Sequence, residues 1–150
     1  MTMKTISDAA VLAALTTRLE SVTATRARVW GTMSAHQMLV HLGDGGEAAL
    51  GRRSFATPAR PASGVLKWAV LKLPLRWPRG IRSGADPASK ELAPERFSAD
   101  RERALRTLRE LAAPESGLAD RHPILGPMSH QDWQRWAFLH TDHHLRQFAL

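Results

Sequence analysis

"SHQDWQRWAFLHTDHHLRQF", residues 129–148, runs for twenty positions without a proline or glycine and holds three histidines within residues 140–144. An α-helix advances about 100° per residue, so positions four apart differ by about 40°, and positions three apart by about 60° the other way. On that wheel Trp133, Trp136, Ala137, His140, His144 and Gln147 fall on one line, the face that an amphipathic helix buries. Opposite them Arg135, Asp142 and Arg146 form a narrow charged strip, expected to meet water. His143 lies between the two faces, about 100° from His144, so these adjacent rings do not aim at one centre. His140 and His144 do.

Working back along the chain, the same period recurs. "SDAAVLAALTTRLESV" opens at Ser7, the expected N-cap, and puts Ala10, Val11, Ala14, Leu15 and Leu19 on one side. "SAHQMLVHLGDGGEAAL" starts with Ser34 and has Gln37 three residues later, the capping-box spacing in which each side chain satisfies an orphan amide. "VLKWAVLKL" reads as a short apolar helix stopped by Pro74. Between Pro74 and Phe97, four prolines with Gly80 and Gly84 predict an irregular crossing, long for a compact domain. From Ser98, Ala104, Leu108, Leu111 and Ala112 restore helical spacing. No alternating strand pattern occurs. The pattern predicts an all-α fold: one domain over residues 1–150, an antiparallel four-helix bundle with an additional short helix and a long basic connection between helices two and three.

The 150 residues suffice for a core without any staple. There is no cysteine, which excludes disulfides, thiolate ligands and a cysteine nucleophile and leaves imidazole or oxygen to bind any transition metal. The N-terminal stretch reads as a charged amphipathic helix rather than a secretory leader, and no apolar run reaches the roughly 20 residues of a membrane span. A cytoplasmic location is therefore expected, with no integral membrane contact. The net charge is +7, and Arg52, Arg53, Arg60, Lys67, Lys72, Arg76, Arg79 and Arg82 fall in one acid-free block. Such a block attracts anions unless it is simply a solvated loop. It has no zinc-finger spacing, interleaved aromatic platform or helix-turn-helix, so no nucleic-acid partner is expected.

Two imidazoles at i and i+4 can grip one divalent ion, although an HxxxH pair on a helix also occurs as ordinary packing. Burial favours the ligand reading, because a histidine on an apolar face needs partners for both nitrogens. Helix two offers a third ligand in His41, beside Met38 and Leu42, with Gly45 and Ala48 leaving the neighbouring face bare. The bare face either makes room for a ligand or merely lets helices approach. Gln37 and Asp44, at i−4 and i+3, could orient the His41 ring. His36 and His130 stand in first turns, where exposure is usual, and His122 before Pro123 reads as a loop anchor that could line a pocket.

"WGTMSAHQMLVHL", "HPILGPMSHQDW" and "HTDHHLRQF" together resemble the DinB/YfiT-like superfamily of bacterial metal-binding four-helix bundles, and most of all a branch known only as a domain of unknown function. The resemblance spans most of the chain. It implies one histidine ligand from helix two and an HxxxH pair from the last helix, matching His41, His140 and His144, with zinc or nickel as the divalent ion and frequent homodimers. Some relatives transfer a low-molecular-weight thiol to an electrophile or use it in isomerisation. The basic insert at about 52–95 is not part of the common core and puts the pocket mouth in doubt.

Three neutral imidazoles leave an open coordination position, at which water or a thiol becomes a nucleophile near neutral pH. A sulfur nucleophile would have to enter as a cosubstrate, its carboxylates drawn by Arg52 and Arg53. No serine nucleophile elbow or phosphate-cradling glycine loop competes. The expected function is a metal-dependent enzyme of thiol-transferase or hydrolase type acting on a small molecule; its catalytic residues beyond the three ligands are not identifiable from sequence. The alternative is a non-catalytic bundle in which "VLKWAVLKLPLRW" and its basic neighbours contact a protein or a membrane surface.

Overall fold

The structure is a computed structural model that describes residues 3–55, 64–80, 90–115 and 117–150. It is built from five helices: α1 Ala9–Glu20, α2 Ala35–Ala49, α3 Gly64–Lys72, α4 Phe97–Ala112 and α5 His130–Arg146. A 3₁₀ turn at Pro94–Arg96 leads into α4. The parts of the long connection at 56–63 and 81–89 lie outside the described residues, and with them Arg60, Arg82, Gly84 and Pro87. None of the described helices is long and apolar enough to cross a membrane.

Local chemistry sets the helix ends. Both halves of the Ser34–Gln37 capping box form at the start of α2. At α1 the cap is Asp8 rather than the expected Ser7: the Asp8 carboxylate accepts from Ala10 and Val11, while the Ser7 hydroxyl pairs with that of Thr5, 2.5 Å away. A carboxylate outcompetes a hydroxyl here because the helix N-terminus carries partial positive charge. Between α4 and α5 the chain forms one feature with no sequence signal, a two-residue strand β1, Arg121–His122, paired antiparallel with β2, Gly126–Pro127. Two residues are too few to carry a period.

Helix α2 packs most extensively on α4, and α1, α2, α3 and α4 all touch α5. The α2–α4 approach depends on Gly46, where a Cβ would stand 2.4 Å from the Thr107 hydroxyl oxygen. No other side chain fits that contact. The core between the helices is filled by Leu15 and Leu19 of α1, Met38 and Leu39 of α2, Leu105 and Leu108 of α4, and Trp133 and Leu145 of α5.

The charged strip of α5 does not meet water. Arg135 is 4% exposed and Asp142 8%, and Arg146 is half-buried. The cause is long-range: the end of α3, the N-terminal segment and α1 cover that side. Arg135 donates to the carbonyls of Leu71, Leu73 and Lys4 at 2.8–3.1 Å, closing the C-terminal end of α3 with a cation as its dipole favours. Asp142 takes Arg18 and Arg146, each at 2.9 Å. His36, expected to be exposed, instead pairs with Asp100 of α4 at 2.9 Å with 12% of its side chain exposed, and His130 is half-buried.

At the start of α5, Ser129 and Asp132 form a reciprocal capping box, and Asp132 also pairs with Lys67 at 2.6 Å and Lys72 at 3.2 Å. Burial works to raise the Asp132 pKa, but the Lys67 ammonium, the Ser129 donors and Lys72 overcome it and hold the group at about 2. A depressed carboxyl pKa stabilises the fold fully above the unfolded value of 3.8, and the contribution is lost as pH falls through about 2. Asp132→Asn is therefore expected to lower unfolding free energy by about 1 kcal/mol at pH 7, as for an exposed-to-partly-buried ion-pair network. In urea unfolding the gap between variant and wild type should shrink as pH falls from 4 to 2; a constant gap contradicts the assignment.

Candidate metal centre

His140 and His144 project from α5 on one line, and His41 meets them from α2. The ring centroids form a near-equilateral set, 4.9 Å from His41 to His140, 4.6 Å from His41 to His144 and 4.7 Å from His140 to His144. One ring nitrogen from each lies within 4.8 Å of the others, and the Nε2 atoms of His41 and His140 are 3.0 Å apart. His140 and His144 are each 9% exposed.

Burial depresses the pKa of all three. His41 is brought down to about 4, chiefly by desolvation, with the Asp44 charge opposing and Lys90 and His143 assisting. His140 and His144 lie well below the ordinary imidazole value, first because of burial, then for His140 because of the charges of His144 and His41, and for His144 because of that of His41, which the Gln147 hydrogen bond opposes. The three rings are neutral at neutral pH, the state in which imidazole nitrogen can donate a lone pair.

The neighbouring residues fix the rings. His144 Nδ1 lies 2.8 Å from the Gln147 side-chain oxygen, so Nδ1–H donates and Nε2 keeps its lone pair. Gln147 is itself held from behind: a Cβ at Gly31, whose φ is +87°, would stand 2.6 Å from its amide nitrogen. Trp136 stacks on His140 with centroids 4.6 Å apart and planes at 17°. The bare face at Gly45 is explained by these rings, since a Cβ there would lie 3.1 Å from His140 Cε1 and 3.4 Å from the Trp136 ring. The space beside His41 thus holds His140 and Trp136.

Two expected helpers of His41 work elsewhere. Gln37 accepts from the Ser34 amide and donates to the Lys90 carbonyl. Asp44 is drawn to Arg53 at 2.6 Å, Lys90 at 2.7 Å and Arg103 at 2.9 Å, and acts on His41 only through its charge. Arg53 is thereby tied to Asp44 and Arg52 to Glu110, so both guanidinium groups already have carboxylate partners within the chain. His143 is not one of the converging set: its ring packs edge-on against Trp30 at 5.1 Å and His144 at 5.2 Å, with Trp77 6.0 Å off. His122 is the anchor expected: its Nδ1 accepts from the amides of Ile124 and Leu125, and burial takes its pKa to about 4. Gln147 and Trp136 carry roles that sequence reasoning did not assign, although their offsets of i+3 and i−4 from the paired histidines were available.

An imidazole nitrogen binds zinc at about 2.0–2.1 Å, which sets tetrahedral donors roughly 3.3 Å apart. The 3.0 Å contact and the 4.8 Å limit bracket that spacing, so the three rings fit such an ion with small movements. A set of imidazoles alone suits zinc, nickel or copper better than magnesium or calcium.

Replacing Gln147 by Leu removes the acceptor of a buried N–H. The expected cost is about 1–3 kcal/mol in urea unfolding, with the His144 ring no longer held as the Nδ1–H tautomer in ¹⁵N NMR. An unchanged tautomer and stability would contradict the role given to Gln147.

No curated protein and no protein of solved structure matches the chain. A family model described as the DinB superfamily matches residues 8–148, nearly the whole length and all three histidines, and the chain belongs to that superfamily.

Proposed function

We propose that the protein is a metalloprotein whose His41, His140 and His144 hold one divalent ion, zinc or nickel, and that it is an enzyme of thiol-transferase or hydrolase type acting on a small molecule. The architecture proposed for it is one domain, with α1, α2, α4 and α5 as an antiparallel four-helix bundle and α3 as an accessory helix. The observation that carries the reading is the convergence of three neutral imidazoles from two helices, each with a nitrogen within 4.8 Å of the others. At 3.0 Å the Nε2 atoms of His41 and His140 are also within reach of an N–H···N hydrogen bond between neutral rings, so it is the third nitrogen, from His144, that makes the group a ligand set rather than a hydrogen-bonded pair.

When bound, such an ion supplies Lewis acidity that makes water or a thiol nucleophilic near pH 7. The chain's own residues do the remaining work. Gln147 holds the His144 tautomer, Trp136 holds the His140 ring plane, and their apolar surroundings keep the imidazoles unprotonated. Asp44, with three cations around it, serves as a structural counter-ion rather than a base. A protein without cysteine takes any thiol as a cosubstrate.

Elemental analysis after dialysis against zinc and nickel tests the metal. One equivalent per chain is expected, with affinity lost by more than about a hundredfold in His144→Ala and in His41→Ala, beyond the 10–100-fold cost of losing an outer partner. Circular dichroism checks that the variants remain folded, and equal metal in wild type and variants overturns the reading. Turnover of small thiols with electrophiles, abolished by chelation and restored by the ion, tests the reaction separately.

A further inference from the structure

We propose that α3 and the residues just after it seat the protein on an anionic lipid surface. Val65 and Trp68, one helical turn apart, are 77% and 57% exposed, and Leu75 is 63% exposed. The other four tryptophans are buried or half-buried. Scattered single apolar residues on a surface need no explanation, but a tryptophan and two aliphatic side chains within eleven residues do.

The helix presenting them is firmly docked. Leu71 is fully buried, Lys67 and Lys72 pair with Asp132, and Arg135 caps the carbonyls of Leu71 and Leu73. Val65 and Trp68 are therefore held outward by a fixed scaffold. Further along the chain Arg76 and Arg79 are exposed and, among the described residues, pair with no carboxylate; Arg79 rests over Trp30 at 5.3 Å. The whole of residues 52–82 contains no acid.

Charge decides the occupant. A second copy meeting this segment with its own would bring only further cations opposite Arg76 and Arg79, since residues 52–82 contain no acid. An anionic surface is the complement. A short helix that exposes Val65 and Trp68, followed in the chain by exposed Leu75, Arg76 and Arg79, matches an interfacial contact: tryptophan settles at the headgroup boundary and the cations meet anionic headgroups.

The test uses the full chain and vesicles of phosphatidylglycerol mixed with phosphatidylcholine, some of it brominated in the acyl chain, against pure phosphatidylcholine. Binding to the anionic vesicles alone is expected, with bromine quenching of tryptophan emission that disappears in Trp68→Phe. Trp68→Ser, which leaves the charge unchanged, should weaken binding about tenfold. Equal binding by Trp68→Ser without bromine quenching would mean that a basic chain merely adsorbs, and overturns the proposal. Absence of vesicle binding together with self-association that Trp68→Ser abolishes would assign the face to a second copy, and also overturns it.

Discussion

Helix α5 is buried around nearly its whole circumference, 13 of its 17 residues, although much of it is polar. An unpartnered buried polar group costs a few kcal/mol, so such a helix can exist only if its neighbours supply a partner at almost every position. Most of the molecule follows from that demand. Arg135 ties down the end of α3, Asp142 draws Arg18 from α1, Asp132 gathers Lys67 and Lys72, and His144 engages Gln147. His143 Nδ1 and, on α4, Arg101 Nε are the buried side-chain atoms left without a hydrogen bond among the described residues. The inward nitrogens of His140, His144 and His41 are directed at one another.

This placement separates two chemistries on the two sides of one helix. The Arg135–Asp142–Arg146 side is fully engaged in ion pairs and carbonyl caps, which makes it a structural seam. The His140–His144 side is backed by Trp136 and has few charges to stabilise protonated rings, so its imidazoles remain neutral, the form a metal would need. The acid-free block of sequence is partly neutralised by acids from elsewhere, Glu110 for Arg52, Asp44 for Arg53 and Asp132 for both lysines. Half of what local sequence presents as an anion-attracting segment, Arg52, Arg53, Lys67 and Lys72, is in three dimensions a set of braces.

The helices and the His140–His144 pair were legible because they rest on local rules, whereas His41 was joined to them by the bare face of helix two and by the family resemblance. Capping at Ser34, the 3.6-residue period and the 40° offset between His140 and His144 all operate within a few residues. The burial of Arg135, Asp142 and Arg146 was not legible, because a helical wheel assumes a solvent side and the covering groups come from residues 4, 18, 71 and 73. Gly45 illustrates the same limit: its bareness was visible, but that His140 and Trp136 fill it depends on how α2 and α5 approach. Ser7 and Asp8 are adjacent candidate caps, and the choice between them rests on the dipole and on Thr5 holding the Ser7 hydroxyl.

The account stands on three histidines sharing a single cation. X-ray absorption on the zinc-loaded protein measures this directly, through the multiple scattering that distinguishes imidazole from other donors. Three imidazole nitrogens at about 2.0–2.1 Å, completed by light-atom donors and no sulfur, is the predicted shell. A shell with one imidazole or none would contradict the account and leave the histidines as packing in a helical scaffold.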